Sequence, residues 1–269
     1  MPALDVYLDY AAGAPRHPAA AAAYADADVP GNPHSPHRPG RLARRVLDDA
    51  RDQVAAALGA EAAHVVFTSG GTEADALAVQ GIFGGRQAGA APPFVLIGAT
   101  EHPAVRENAS LLGGRGAQVV EIPVDAAGVI SLRFVEEHLS RHGDATALIS
   151  VMAANNETGA LQPVDAVVEL AARSGTPVHS DWVQAVGKVP LDFGASGLAA
   201  ASVSAHKVGG PVGAGALLAA RQLTLAPVAG GGGQERGVRS GTQDARSAAA
   251  FAAALGAPAP APEELEAFL

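Results

Sequence analysis

Leu42, Val46, Ala50, Val54 and Leu58 recur every four residues, which places them on one stripe of a helix and predicts an amphipathic helix beginning near residue 40. Directly after it, Val65-Val66-Phe67-Thr68 is apolar and β-rich, the pattern of a strand covered on both faces. The alternation continues down the chain. Short apolar runs predict further strands at 94–97, 118–122, 147–152, 177–180, 201–204 and 214–218, and helical stretches at 73–83, 103–112, 132–141 and 164–173 fall between several of them. Strands alternating with helices predict an α/β fold, a mainly parallel sheet with helices on both faces. In such a sheet functional residues gather in the loops at the carboxyl ends of the strands.

The periodic region, taken as one domain over 41–255, is flanked by two segments of different character. Residues 1–40 are rich in Pro, Gly, His and Ala and read as an N-terminal arm packing over that domain. Near the other end, Gly256-Ala-Pro-Ala-Pro-Ala-Pro interrupts helical sequence and Glu263-Glu-Leu-Glu-Ala-Phe-Leu restarts it, so 256–269 reads as the start of a linker or connecting helix.

Composition narrows the function classes. Hydrophobic residues make up 48% of the chain but aromatics only 4%, so the core must be built from Ala, Val and Leu. No apolar run reaches the roughly 20 residues a bilayer span needs, and Met1-Pro-Ala-Leu-Asp lacks the basic and apolar regions of a secretory signal; the expected setting is the cytoplasm, without membrane association. A net charge of −9 argues against a nucleic-acid partner. The cluster Arg38, Arg41, Arg44 and Arg45, beside Asp48 and Asp49, reads as a solvated helical face. With no cysteine in the chain, disulfides and thiolate metal sites are excluded, and no metal is expected.

Only two lysines, Lys188 and Lys207, are available as amine nucleophiles. Lys207 follows a predicted strand, next to His206 and Ser204, and precedes Gly209, Gly210, Gly213 and Gly215. Such glycine density lets backbone approach a ligand, and burial would lower the lysine pKa toward a reactive amine; alone, the pattern equally fits a surface loop. Asp181 ends another strand and could pair with a cationic ring nitrogen or simply cap a helix. Ser69-Gly-Gly-Thr-Glu73 opens a helix after a strand, either as an anion site built from Gly71 and Thr72 or as an ordinary turn. His102 sits past a strand and could stack on a ring, move protons or be structural. Asn155-Asn-Glu-Thr-Gly159 offers amides, and Gly230-Gly-Gly-Gly-Gln-Glu-Arg-Gly-Val-Arg-Ser-Gly-Thr242 carries too many charges for a plain flexible linker.

Taken together and in order, Gly31-Asn-Pro-His-Ser, Phe67-Thr-Ser-Gly-Gly-Thr-Glu, Thr100-Glu-His, Asn155-Asn-Glu-Thr-Gly, Asp181 with Gln184, Ser204-Ala-His-Lys and the glycine-rich block ending at Thr242 resemble the cysteine desulfurases of the NifS/IscS type, among the class V aminotransferase-like enzymes. The likeness runs from Tyr7 to about residue 255. It implies the large domain of a pyridoxal-phosphate-dependent transferase of fold type I. Lys207 would then hold the cofactor as a Schiff base and move the α-proton, Asp181 would hold the pyridine nitrogen, and Gln184 the ring hydroxyl. His102 would stack on the ring and assist proton transfer, Gly71, Thr72, Ser204 and His206 would bind phosphate, and Asn155 would lie near the cofactor oxygen and substrate carboxylate. The resemblance also implies a homodimer in which Thr242 completes the partner's phosphate site, with L-cysteine as substrate and a sulfur-acceptor protein.

Two departures qualify this. The family's nucleophilic cysteine and a carboxylate-gripping arginine lie in a small domain that would follow the glycine-rich loop, so the chain reads as a desulfurase-like enzyme lacking that domain, or working with a separate one. Trp182 replaces a small residue and would either narrow the pocket or pack behind the sheet, and Val212 stands where lysine is common. The competing expectations are a thiol-independent pyridoxal phosphate lyase, epimerase or biosynthetic enzyme, and a non-catalytic truncated homologue.

Overall fold

A computed structural model describes residues 7–86 and 93–257. Seven strands form one sheet: β1 (Val65–Thr68), β2 (Phe94–Gly98), β3 (Gln118–Ile122), β4 (Thr146–Ser150), β5 (Val178–Asp181), β6 (Ala200–Ser204) and β7 (Gly215–Ala219). Their order across the sheet is β1-β7-β6-β5-β4-β2-β3, parallel throughout except for β7, which runs antiparallel to both neighbours. All seven predicted strands are present. Val151 and Met152, expected in β4, lie past its end at Ser150, with Val151 N still bonded to His179 O at 3.1 Å and Met152 bordering the site.

Eight helices accompany the sheet among the described residues: α1 (Pro18–Asp26), α2 (Arg38–Ala57), α3 (Gly71–Gly85), α4 (Pro103–Gly113), α5 (Leu132–His142), α6 (Val164–Ala172), the single turn α7 (Phe193–Ser196) and α8 (Ala245–Gly256). Except for the edge strand β3, the strands bury both faces, so successive residues serve two cores. Val65 and Phe67 of β1, with Ala216 and Leu218 of β7, pack with Leu47 and Val54 of α2, Val135 of α5, Val167 of α6 and Phe251 of α8. Val66 and Leu217 point the other way, against Leu77, Ile82 and Phe83 of α3 and Val105 and Leu112 of α4. This two-sided cover is the predicted layering.

The arm contains more order than its composition suggested. Pro18 starts α1, whose first turn is capped by the His17 ring accepting from Ala19 N, and Ala20 packs with Ala250 and Ala254 of α8. On α2 the arginine cluster lies at the surface as expected, with Arg44 paired to Asp48 at 2.8 Å. Trp182 is buried behind the sheet, edge-on to Phe193 at 6.2 Å, which settles its two readings in favour of packing; Val212 is 81% exposed. Among the described residues no helix is long and apolar enough to cross a membrane, and no cluster of metal-ligating side chains occurs. The helix expected to restart at 263 lies outside the described residues.

Candidate active site

Because β1, β2, β4, β5 and β6 all run in one direction, their carboxyl ends lie along one edge of the sheet. A cavity of about 480 Å³ opens there. Gly71, Thr72, His102, Asp181, Gln184, Ser204, His206 and Lys207, all singled out in the sequence, line it.

The β1–α3 turn is bare backbone for a reason. Gly70 has φ +147°, a region that favours glycine. A Cβ on Gly71 would meet Val183 Cγ2 at 2.8 Å, so this corner tolerates no side chain and leaves the first amides of α3 facing the cavity. Ser204, the last residue of β6, is bonded through Oγ to His206 Nδ1 at 2.9 Å. Lys207 lies in the 3-10 turn Ala205–Val208, which Gly209 closes at φ +80°. Its Nζ donates to the carbonyls of Ala11 and Ala12 in the arm, and Gln184 Nε2 donates to the same Ala11 oxygen at 2.8 Å. Partial burial lowers the Lys207 pKa, opposed by the negative charges of Asp9 and Asp181.

His102 caps α4, with Nδ1 accepting from Ala104 N at 3.1 Å. That bond puts the proton of the neutral ring on Nε2, and burial, then the nearby Lys207 charge, lowers the ring's pKa. Asp181 is buried at the end of β5, where Oδ1 accepts from Val183 N at 2.8 Å. Burial raises its pKa to about 6, against the pull of that hydrogen bond and of Lys207.

Two expected residues stand apart from this lining. Asn155 spends its amide on the surrounding loop, accepting from Glu157 N and Thr158 N at 2.9 Å and donating to Thr100 O at 3.1 Å, while Asn156 and Glu157 line the cavity. Thr242 is exposed on the glycine-rich loop, outside the cavity lining of its own chain.

The sequence reading assigned nothing to the polar floor. Asp75 of α3 is 1% exposed, lines the cavity and has an Oδ1 without a hydrogen-bond partner; Glu101, also buried, bonds Met152 N through Oε1 at 2.7 Å but leaves Oε2 unpartnered. Burial, then the neighbouring Asp181 charge, raises Asp75 well above the usual carboxylate range. Beneath them His179 is fully buried between Ser150 Oγ and Ser202 Oγ, each at 2.9 Å. The available signal for Asp75 was its position among buried Ala74, Leu77 and Ala78, where a carboxylate would otherwise be excluded.

His179 makes acid stability predictable. Burial lowers its pKa from 6.5 to about 3, so between those values the unfolded chain is protonated there and the folded chain is not. Unfolding takes up a proton, and stability falls as the pH drops. Asp181 acts oppositely: between about pH 6 and 3.8 the folded chain holds the proton that the unfolded chain releases, so acid favours folding. Asp75 and Glu101, whose pKa values burial also raises, act in the same direction as Asp181, so the His179 share is read as a difference: between pH 6.5 and 4.5 the urea midpoint of the cofactor-free wild type should fall relative to that of His179→Gln. An equal pH dependence of the two proteins would refute the assignment.

The class-V aminotransferase family model matches residues 6–256. An IscS-like cysteine desulfurase of Mycobacterium tuberculosis is 47% identical over 253 residues, which are 92% of this chain and 64% of that protein. A mitochondrial cysteine desulfurase of Drosophila melanogaster is 40% identical over 258 residues, covering 93% of this chain and 54% of its own length. The chain therefore spans between about half and two thirds of these relatives. Among solved structures, a NifS-like protein superimposes with a TM-score of 0.87 at 33% identity, covering 93% of this chain and 68% of its own, and SspA in complex with cysteine with 0.86 at 31%, covering 93% and 72%. The fold is that of the fold type I pyridoxal-phosphate-dependent transferases. With the family model covering nearly its whole length and the lysine, aspartate and bare glycine turn gathered at one sheet edge, the chain belongs to the class-V aminotransferase family.

Proposed function

We propose that this chain binds pyridoxal 5'-phosphate at the sheet edge and is the cofactor-binding part of a cysteine desulfurase-like enzyme acting on L-cysteine in the cytoplasm. The observation that carries the reading is the convergence of Lys207, Asp181, His102 and the Gly70–Gly71 turn on one cavity. The residues present suit the cofactor. Two buried carboxyls of the lining, Asp181 and Asp75, the latter with an unpartnered oxygen, favour a cationic ring nitrogen, and the side-chain-free start of α3 accommodates phosphate. Residues 41–255 are the binding unit in this reading, 1–40 the arm that orients Lys207, and 256–269 the start of a connection.

Bound there, the cofactor would supply an electron sink for the negative charge left when the substrate loses its α-proton. Lys207, its pKa lowered by burial, would hold the cofactor and, once released by the substrate amine, accept the α-proton on Nζ. Asp181 would keep its negative charge against the ring nitrogen, whose positive charge offsets the burial that now raises its pKa. His102 would present Nε2–H across the ring. The amides of Gly71 and Thr72, with Ser204 and His206, would bind phosphate, Gln184 would turn from Ala11 to the ring hydroxyl, and Asn155 would act through the loop it shapes. Thr242 would reach the phosphate of a partner subunit in a homodimer.

Transfer of sulfur needs a thiolate, and these 269 residues contain no cysteine; the thiol would come from a small domain, continuous with these residues or separate from them, or from an acceptor protein. The same fact favours a second reading, a thiol-independent lyase or epimerase, from which the packed position of Trp182 now withdraws support. The test is to load the protein with pyridoxal phosphate and incubate it with L-cysteine, with and without an added thiol. Alanine and persulfide or sulfide, formed only with the thiol, support the first reading. Turnover of another amino acid without any thiol dependence supports the second, and failure to take up cofactor sinks both.

A further inference from the structure

The glycine-rich loop is tied to the chain at two places. Glu235, buried, accepts from Arg51 Nη1 and Nη2 at 2.8 and 2.7 Å, from Phe67 N at 3.0 Å and from Gln243 Nε2 at 3.0 Å. Four residues later Arg239 turns back onto α3, where Nε meets Glu73 Oε1 at 2.9 Å and Nη2 meets Oε2 at 3.3 Å. Glu73 also accepts from Ser69 N at 2.5 Å. Burial works to raise its pKa, yet the Arg239 guanidinium and the Ser69 amide hold it below the ordinary carboxylate range, so Glu73 carries its charge.

That charge stands two residues after Gly71 and one after Thr72, at the end of the helix whose amides would hold phosphate. A free carboxylate there would repel a phosphate dianion and compete for the same N–H groups. We propose that Arg239 is a positioning and charge-compensating residue of the cofactor site: by engaging Glu73 it keeps that carboxylate neutralised and turned away, so that the β1–α3 turn accepts phosphate and discriminates phosphorylated from unphosphorylated cofactor. The inference rests on pyridoxal phosphate being the ligand and assigns the loop a role within its own chain.

Dissociation constants for pyridoxal phosphate and for pyridoxal, titrated into the cofactor-free protein by absorbance, test it. Arg239→Gln should weaken pyridoxal phosphate about tenfold or more, since an unscreened carboxylate then faces the dianion, and leave pyridoxal nearly unchanged. Glu73→Gln added to Arg239→Gln should restore most of the loss. Glu73→Gln alone should keep or raise the preference for the phosphorylated ligand, which keeps the idea testable should Arg239→Gln not fold. Equal weakening of both ligands, or a double variant as poor as Arg239→Gln, overturns the proposal. Wild-type protein that binds pyridoxal no worse than its phosphate also overturns it, whereas wild-type protein that binds neither overturns the cofactor reading itself.

Discussion

Lys207→Ala should abolish the borohydride-stable attachment of pyridoxal phosphate completely, while the folded protein still takes up some cofactor without a covalent bond. The expectation is all-or-none because the chain has only two lysines and the structure separates their roles. Lys207 lines the cavity beside Asp181. Lys188 is absent from that lining and is engaged by the Gln184 carbonyl at 3.1 Å and its Oε1 at 3.0 Å. Reduction of the loaded protein, digestion and mass mapping should find one modified peptide in the wild type, none in Lys207→Ala, and the wild-type result in Lys188→Arg. An adduct that survives in Lys207→Ala, on Lys188 or the terminal amine, would show that the amine chemistry lies elsewhere. Thermal melting of each variant separates this outcome from a loss of structure.

The second large effect is on stability. Glu235→Ala should cost about 3–5 kcal/mol, because the carboxylate is the main partner of a poorly exposed guanidinium and of the Phe67 amide on the edge strand β1. Its side chain is 1% exposed and that of Arg51 17%, and without it Arg51 keeps only the Val65 carbonyl at 2.7 Å and its stacking over Phe67. Replacement with alanine brings no relief of backbone strain, since Glu235 and Arg236 sit at φ +43° and +59° in either protein. Urea unfolding measures the loss, and trypsin should cut after Arg236 and Arg239 faster in the variant. A change below about 1 kcal/mol would mean that the loop is held by something other than this carboxylate.

How far this could be read beforehand differs by element. The strands were legible because burial on both faces leaves runs such as Val65-Val66-Phe67 with hardly a polar interruption. The reversed direction of β7 was overlooked although spacing encodes it: only ten residues separate Ser204 from Gly215, too few for the crossover that parallel neighbours need. α1 escaped because Pro18-Ala-Ala-Ala-Ala-Ala-Tyr-Ala-Asp carries no apolar stripe to contrast with a polar one. At the site, residues in the β1, β5 and β6 end loops were singled out by their chemistry and position, which alone left structural readings open; their roles came from the resemblance carried by the ordered motifs. Asp75, Glu101 and His179 were missed because polar side chains ordinarily mark the surface; only Asp75 carried a signal, in its apolar neighbours Ala74, Leu77 and Ala78, and packing buries all three. Asn155 and Asn156 were indistinguishable as letters; the turn decides which faces the cavity.

The hold of the arm on the Lys207 loop has a consequence for the order in which the molecule can be made. Ala14 N bonds His206 O and His17 N bonds Gly209 O, both at 2.8 Å, and α1 packs on α8. Among the described residues β1 likewise has β7 as its only strand neighbour. During synthesis the earliest-made described segment must therefore wait, unpaired, while nearly two hundred more residues leave the ribosome. Lys207 and the Ala11 and Ala12 carbonyls that hold it come together only once the chain has been made past Gly209, so a shorter nascent chain carries neither a paired β1 nor an aligned lysine.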